Sequence, residues 1–473
     1  MNILCSLIPQ QEWTVTTILT HIGLTLGFIL ALVLISKIVR QGHRSPSSTI
    51  AWLLVIILAP WLGVPLYLML GGRKMRRRAG RKRQLHLNRE TIIPVAQAGV
   101  VDRILRNYSL PGATGCNSIQ LCQTGQAGYA QLRDLIENAR HSIYIETFVF
   151  GKDDVGRDII QRLARRAGEG VEVRLLLDGL GSLHTRGRFL KPLSQAGGQW
   201  RHFNPVVHRP LKGRTDLRNH RKIAIADDEI VLAGGTNIAE EYIGPKPMKG
   251  RWWDLSFVLQ GPAVGFYANI FRLDWEFASG ETLRQPRKPA GQVATGQAVA
   301  QVVPSGPDIE GDCLYDALLS AIFQAKERLW IVTPYFIPDE SLQQALLLAC
   351  RRGVDVRVIV PRKSNHRLLD FARGPFLRQL QAGGIRIMQH RKMIHAKVLI
   401  MDNELAMVGS SNFDIRSLFL NYEVSMFVYS QAEISAIEEW VQHRLASCTK
   451  GVKPVGPIQD FRDGLARITA PLL

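Results

Sequence analysis

Apolar residues along the chain fall into two regimes, long runs first and short runs afterwards. No residue from Val15 to Ile35 is charged, and His21 is the one strongly polar side chain there. From Ile50 to Leu70 none is charged again, with Trp52, Trp61 and Tyr67 interspersed. Each stretch matches the ~20 residues a helix needs to cross a bilayer core. The pattern therefore predicts an N-terminal transmembrane helical hairpin over residues 1–72, its second helix kinked at Pro60 and Pro65. A cleaved signal peptide fits badly, because no Lys or Arg precedes the first run and a second run follows at once.

Beyond residue ~110 the runs shorten, and their order repeats. SIYIETFVF at 142–150 is matched by LWIVTPYFI at 329–337, and GVEVRLLLD at 170–178 by GVDVRVIV at 353–360. Helical periodicity precedes the first run of each set, over 127–140 and 314–326. Short β-branched runs alternating with helices predict α/β layering around a buried sheet. A Gly-, Pro-, Gln- and Ala-rich segment, 280–301, marks the seam. The expected organisation is a hairpin at 1–72, a basic linker at 73–110, and two halves at 111–285 and 286–473.

A polar pattern is duplicated with the halves. The first copy is His220-Arg221-Lys222, Asp227 and Gly234-Gly235-Thr236-Asn237. The second is His395-Ala396-Lys397, Asp402 and Gly409-Ser410-Ser411-Asn412. In both, Lys follows His by two, Asp follows Lys by five and Asn follows Asp by ten. Residues two apart on an extended strand share a side, so each His-Lys pair faces one pocket, whereas each Asp has the opposite parity and braces a strand end or turn. The glycine-led turns bring backbone N–H groups and an Asn to the same place, which suits an anion such as phosphate. Neither half holds a complete acid-base pair, so the duplication predicts one shared site between halves related by a pseudo-two-fold axis.

Charge adds a partner class. Lys and Arg number 59 against 40 acidic residues, a formal net charge of +19, and the densest basic run is residues 73–83. Such a run beside an apolar stretch predicts attraction to anionic headgroups. It outweighs Lys37, Arg40 and Arg44 of the intervening loop, which places the rest of the chain in the cytoplasm. Six scattered cysteines form no C-x-x-C, so neither a zinc site nor a disulfide framework is expected, and no cofactor or metal is called for.

The duplicated pattern resembles the HxKxxxxD signature of the phospholipase D superfamily. IAWLL at 50–54, GVP at 63–65, WWD at 252–254, NFDIRS at 412–417 and LNYE at 420–423 narrow the resemblance to its bacterial cardiolipin synthases, from about residue 40 onward. The resemblance implies two α/β sandwich halves in a multi-pass protein of the bacterial inner membrane, catalytic halves on the cytoplasmic side. It also implies transfer of a phosphatidyl group between two phosphatidylglycerols through a phosphohistidine. His220 would be nucleophile and His395 acid-base, near-symmetry leaving the swap open. Lys222, Lys397, Asn237 and Asn412 would bind phosphate, Asp227 and Asp402 complete the motifs, and Asp254 would orient His220 and Glu423 orient His395. Gly235 stands where the second copy has Ser410, so any hydroxyl contact to phosphate is one-sided. Hydrolytic phospholipase D activity, a phosphatidylethanolamine acceptor and phosphatidylserine synthesis keep every catalytic residue. A nuclease is disfavoured by the placement of the basic run, so no nucleic acid is expected, and a non-catalytic lipid-binding scaffold is the remaining alternative. The partners implied are phosphatidylglycerol and an anionic bilayer surface; the oligomeric state is not readable.

Overall fold

The structure is a computed structural model that describes residues 15–40, 46–61, 63–64, 67, 98–185, 187–205, 217–284 and 296–469. The basic run, Pro65 and most of the expected linker and seam lie outside these residues. The chain divides into two units, Met1–Arg73 and Lys74–Leu473.

In the first unit, helices Val15–Arg40 and Pro46–Leu58 pack through Ala31, Leu34 and Ile56, joined by Val64 and Tyr67. Trp52 meets Tyr67 edge-on at 5.3 Å. The expected pair of membrane spans does not emerge: among the described residues no helix is long and apolar enough to cross a membrane. The second helix stops short because Pro60 has no N–H to continue the ladder. Ala59 N–H still donates to Val55 O at 3.0 Å, and Gly63 N–H donates to Ala59 O at 2.7 Å beyond the proline. The first mixes Thr16, Thr17, Thr20, His21 and Thr25 into its N-terminal half and ends on Lys37 and Arg40. Both helices leave large apolar side chains uncovered, including Phe28, Val33, Ile57 and Leu58, as is Trp61 just beyond the second.

The second unit is built on one 15-stranded sheet. Its strands and the short pair beside it are, in chain order, β1 (Thr114–Cys122), β2 (Ser142–Thr147), β3 (Glu172–Asp178), β4 (Gln199–Phe203), β5 (Ile223–Ala226), β6 (Ile230–Gly234), β7 (Ser256–Gln260), β8 (Ala298–Ser305), β9 (Arg328–Val332), β10 (Phe336–Ile337), β11 (Asp355–Pro361), β12 (Arg386–His390), β13 (Val398–Met401), β14 (Leu405–Gly409), β15 (Phe413–Asp414), β16 (Glu423–Val428) and β17 (Cys448–Lys450). From the centre outward one side reads β1-β7-β6-β5-β2-β3-β4 and the other β8-β16-β14-β13-β9-β11-β12-β17. Apart from the terminal β17, the two sides are the same fold written twice. The equivalent strands β1 and β8 pair antiparallel at the middle, with Thr114 opposite Ala300, so the halves are related by a pseudo-two-fold axis through that pair.

Both faces of the sheet are covered, which is why its strands read as continuous apolar runs. In the first half Ile143, Ile145, Leu175 and Leu177 pack under helices Gly125–Asn138 and Asp154–Gly168. Tyr144, Leu176, Ile223 and Ile225 point the other way, into the core containing helix Val264–Ser279 and most of the second half. The hairpins β5–β6 and β13–β14, registered at Ile223–Ala233 and Val398–Val408, carry the polar pattern on their leading ends.

Candidate active site

Each His-x-Lys sits on an extended segment just ahead of its hairpin, and each segment is held by the opposite half. The His220 N–H donates to Tyr422 O at 2.9 Å, and the His395 N–H to Trp253 O at 2.6 Å. Asn219 and Tyr422, and likewise Trp253 and Ile394, form matching parallel bridges. The polar pattern is thereby drawn to the seam between the halves.

The carboxylates cross that seam in a way the resemblance did not assign. Glu423 stands 2.9 and 3.0 Å from Nδ1 of His220, and Asp254 Oδ2 stands 2.7 Å from Nδ1 of His395. The expected pairing is therefore reversed. Tyr422 and Trp253 are bridged to the histidine segments, so the residue that follows each, Glu423 or Asp254, reaches the histidine of the other half. With Nδ1 committed, Nε2 is the nitrogen of His220 left for chemistry.

The Ser410–Gly235 difference follows from the same geometry. Ser410 Oγ donates to Glu423 and accepts from Val424 N–H at 3.0 Å, so this hydroxyl orients a carboxylate and is not free for phosphate. In the other copy a Cβ at Gly235 would lie 2.2 Å from Asp254 Oδ1. Gly234, at φ +138°, permits the close approach of β6 to β7, since a Cβ there would meet Leu255 O at 2.6 Å.

The lysines join the histidines. Lys222 Nζ donates to His220 O at 2.5 Å, and Lys397 Nζ lies 2.8 and 3.0 Å from the ring nitrogens of His395. Both lysines are almost completely buried. Burial takes His220 down to about 4 against the pull of Glu423, with Lys222 and Lys397 adding to the fall. His395 falls to about 3 through burial and Lys397, opposed by Asp254. Lys222 drops to about 7 and Lys397 to about 8, burial again dominating and the carboxylates resisting. Burial would raise both carboxyls, but His220 holds Glu423, and His395 holds Asp254, below the usual range. Each motif feels the other's charge, as expected of a single site. Two lysines and two ionised carboxylates thus surround neutral imidazoles, and the lysines are the groups that would meet an entering phosphate monoanion.

Asp227 and Asp402 stand outside this constellation. Asp227 accepts the N–H groups of Arg140, His141 and Ser142 at 2.7–2.8 Å, and Asp402 those of Lys326, Glu327 and Arg328 at 2.8–2.9 Å. Their place among the catalytic residues is corrected: each carboxylate ties a tight turn to the start of the neighbouring strand. Asn237 accepts from Val149 N–H at 3.1 Å, and its Nδ2 is buried without a protein partner; Asn412 donates to Ser417 Oγ at 3.2 Å. A small pocket beside Lys222 is lined by Glu146, Thr147, Thr236 and Asn237.

Several neighbours went unread in the sequence. The Phe148 ring is 5.0 Å from His220, and Tyr242 and Trp252 flank His395 at 5.0 and 5.7 Å. Tyr335 is partly exposed and donates to Asn365 at 2.5 Å, whereas the adjacent Phe336 is fully buried in the core. Arg221 occupies the position where the second copy has Ala396, and that asymmetry was the available signal. Burial opposes its charge, yet Asp274, at 2.7 Å, and Asp308, at 3.2 Å, hold its proton more tightly than usual. Its Nε donates to Glu423 O at 3.1 Å, so Arg221 ties the first half to the strand that presents Glu423.

Comparisons with known proteins agree with this arrangement. A family described as "Cardiolipin synthase, PLD-like domain" matches residues 132–255 and 318–445, and a phospholipase D-nuclease N-terminal family matches 29–72. The chain is 34% identical over 434 residues to the major cardiolipin synthase ClsA of Bacillus subtilis, covering 87% of this chain and 90% of that one. Cardiolipin synthase 1 of Bacillus anthracis is 32% identical over 427 residues, covering 85% and 84%. Among solved structures, a phosphatidylserine synthase from Haemophilus influenzae shares the fold, at TM-score 0.57 and 16% identity, over 79% of this chain and 98% of that one. With this fold and this extent of likeness, the chain belongs to the cardiolipin synthase family of the phospholipase D superfamily.

Proposed function

We propose that the enzyme transfers a phosphatidyl group from one phosphatidylglycerol to the glycerol headgroup of a second, releasing glycerol, through a phosphohistidine on His220. The carrying observation is the crossed pairing, in which each buried histidine has Nδ1 fixed by a carboxylate of the other half. A proton fixed on Nδ1 leaves the Nε2 lone pair of His220 to attack phosphorus. The P–N bond forms as the P–O bond to glycerol breaks, and His395 delivers a proton to the departing alkoxide. In the second step His395 takes the proton of the acceptor hydroxyl; its P–O bond forms as the P–N bond breaks. Burial keeps His395 a neutral imidazole near neutral pH, its one proton on Nδ1 toward Asp254, so the substrate's negative charge is what draws a second proton onto Nε2. Lys222 and Lys397 neutralise the non-bridging oxygens, with Asn237 and Asn412 beside them. Bond types and charge are unchanged over the two steps, so no nucleotide is needed.

The exposed apolar side chains of the first unit support work at a bilayer. In this reading residues 1–72 anchor the enzyme as a helical hairpin, with the catalytic part on the cytoplasmic side that the charge asymmetry of the sequence favours. Incubating the enzyme in vesicles of phosphatidylglycerol and identifying the lipids formed tests the reaction. Cardiolipin with equimolar glycerol is expected; phosphatidic acid as the sole phosphorus-containing product would replace transfer with hydrolysis.

A further inference from the structure

The helix Arg367–Ala382 turns two faces in different directions. Leu369, Ala372 and Phe376 pack inward with Ile337. Leu368 and Phe371, one turn apart on another stripe, are 68% and 46% exposed. Large apolar side chains so uncovered are out of place on a helix whose inner face is well packed. Exposed cations lie among the residues just before them, Arg362, Lys363 and Arg367, with Asp370 the acidic residue of this stretch. The two apolar side chains thus carry a collar of positive charge.

The patch adjoins the site through aromatic residues. His395 is 5.0 Å from Tyr242, and Tyr335 is among the groups surrounding Tyr242. Tyr335 donates to Asn365, and its ring is 5.5 Å from that of His366, on the turn leading into Leu368. Tyr335 also feels Asp414, which in turn acts on Lys397. The steps from catalytic imidazole to exposed leucine are therefore few, and all lie in the second half and its seam.

We propose that residues 362–371 form an interfacial docking surface at the mouth of the active site, seating Leu368 and Phe371 in the acyl boundary of an anionic bilayer while Arg362, Lys363 and Arg367 engage its phosphates. The occupant is a bilayer because the pair is small, rimmed by cations and placed beside a site whose proposed substrates are lipids. Apolar insertion combined with attraction to anionic lipid is the pattern of interfacial binding. The surface is distinct from the N-terminal unit, and it places the phosphoryl chemistry at headgroup level. This inference rests on the proposed lipid substrate, but one of its tests does not.

That test is direct contact. In the full chain, Phe371→Trp adds an emission that a bilayer-embedded nitroxide lipid quenches in phosphatidylglycerol vesicles beyond the wild-type level, and not in purely neutral vesicles. No extra quenching in anionic vesicles overturns the docking surface even if turnover is normal. The second test compares Leu368→Glu/Phe371→Glu with Leu368→Met/Phe371→Trp on two substrates. Vesicle turnover at low phosphatidylglycerol fraction should fall about tenfold or more for the acidic pair and stay near wild type for the conservative pair. Turnover of monomeric short-chain phosphatidylglycerol should be unchanged in both. Equal loss on vesicles and monomers with unchanged thermal unfolding would make the patch part of the catalytic machinery and overturn the docking role. A wild-type dimer that the acidic pair dissociates would give the patch to a second copy of the chain. Quenching without cardiolipin formation by the wild type would sink the proposed function and leave the docking surface standing.

Discussion

Replacing Glu423 by Gln isolates the crossed pairing. The carboxylate sits 2.9–3.0 Å from His220 Nδ1, fully buried, and accepts a second bond from Ser410 Oγ. Glutamine keeps the volume and removes the charge. A hydrogen bond to a charged group contributes about 1.5–3 kcal/mol. At roughly 1.4 kcal/mol per decade, that loss alone slows attack about ten- to two-hundredfold. Tautomer control adds to it. If the amide oxygen stays on Ser410, the amide N–H faces His220 Nδ1 and moves the ring proton to Nε2, the atom that must attack. The charge change also reaches Lys222, which Glu423 supports; without it the pKa of about 7 falls further and less ammonium remains at neutral pH. The assay is a single-turnover burst with a donor whose leaving group needs no protonation, such as a nitrophenyl phosphatidate. Glu423→Gln should slow the burst. Asp254→Asn should leave the burst intact and slow the steady phase, where His395 activates the acceptor. A burst slowed by Asp254→Asn and untouched by Glu423→Gln would refute the crossed roles.

Other consequences concern pH, the turns and the glycine. In kcat/KM, which reports the free enzyme, activity should fall as pH rises through about 7 to 8, because Lys222 and Lys397 must stay protonated and burial lowers both. A flat profile to pH 9 would contradict this. Asp402→Ala frees three backbone N–H groups and should destabilise the fold by about 2–4 kcal/mol in denaturant titration, with turnover per folded molecule near wild type. A stable but inactive variant would return Asp402 to the catalytic group. Gly235→Ser places atoms against Asp254 and should depress steady turnover at least tenfold by disturbing His395, while the burst on His220 persists.

Much of this arrangement was legible because it is written twice. Matched spacing of His, Lys and Asn, matched apolar filler and repeated strand patterns were enough for an α/β fold with one site between two halves. The parity of Asp227 and Asp402 was also readable, and it foretold their turn-bracing bonds better than motif membership did. The partner of each carboxylate was not readable, because spacing along one half says nothing about which strand the pseudo-two-fold axis lays beside it. Ser410 was read as a phosphate contact because its hydroxyl is catalytically plausible; only the position of Glu423 assigns it elsewhere. Aromatic neighbours such as Tyr242 and Trp252 have no spacing signature, since they reach His395 across the seam. The apolar N-terminal stretches were read by length alone, and the break at Ala59–Pro60 shows how proline shortens a helix within an apolar run.

The most direct measurement is the identity of the covalent intermediate. Enzyme quenched during turnover of the nitrophenyl donor should carry one phosphatidyl group, labile to acid and stable to alkali as a phosphoramidate is, mapped by mass spectrometry to His220. It should be absent from His220→Ala and should persist longer in His395→Ala. An adduct on His395 would reverse the roles of the two histidines, and no adduct together with inverted configuration at a chiral phosphorus would contradict the two-step transfer.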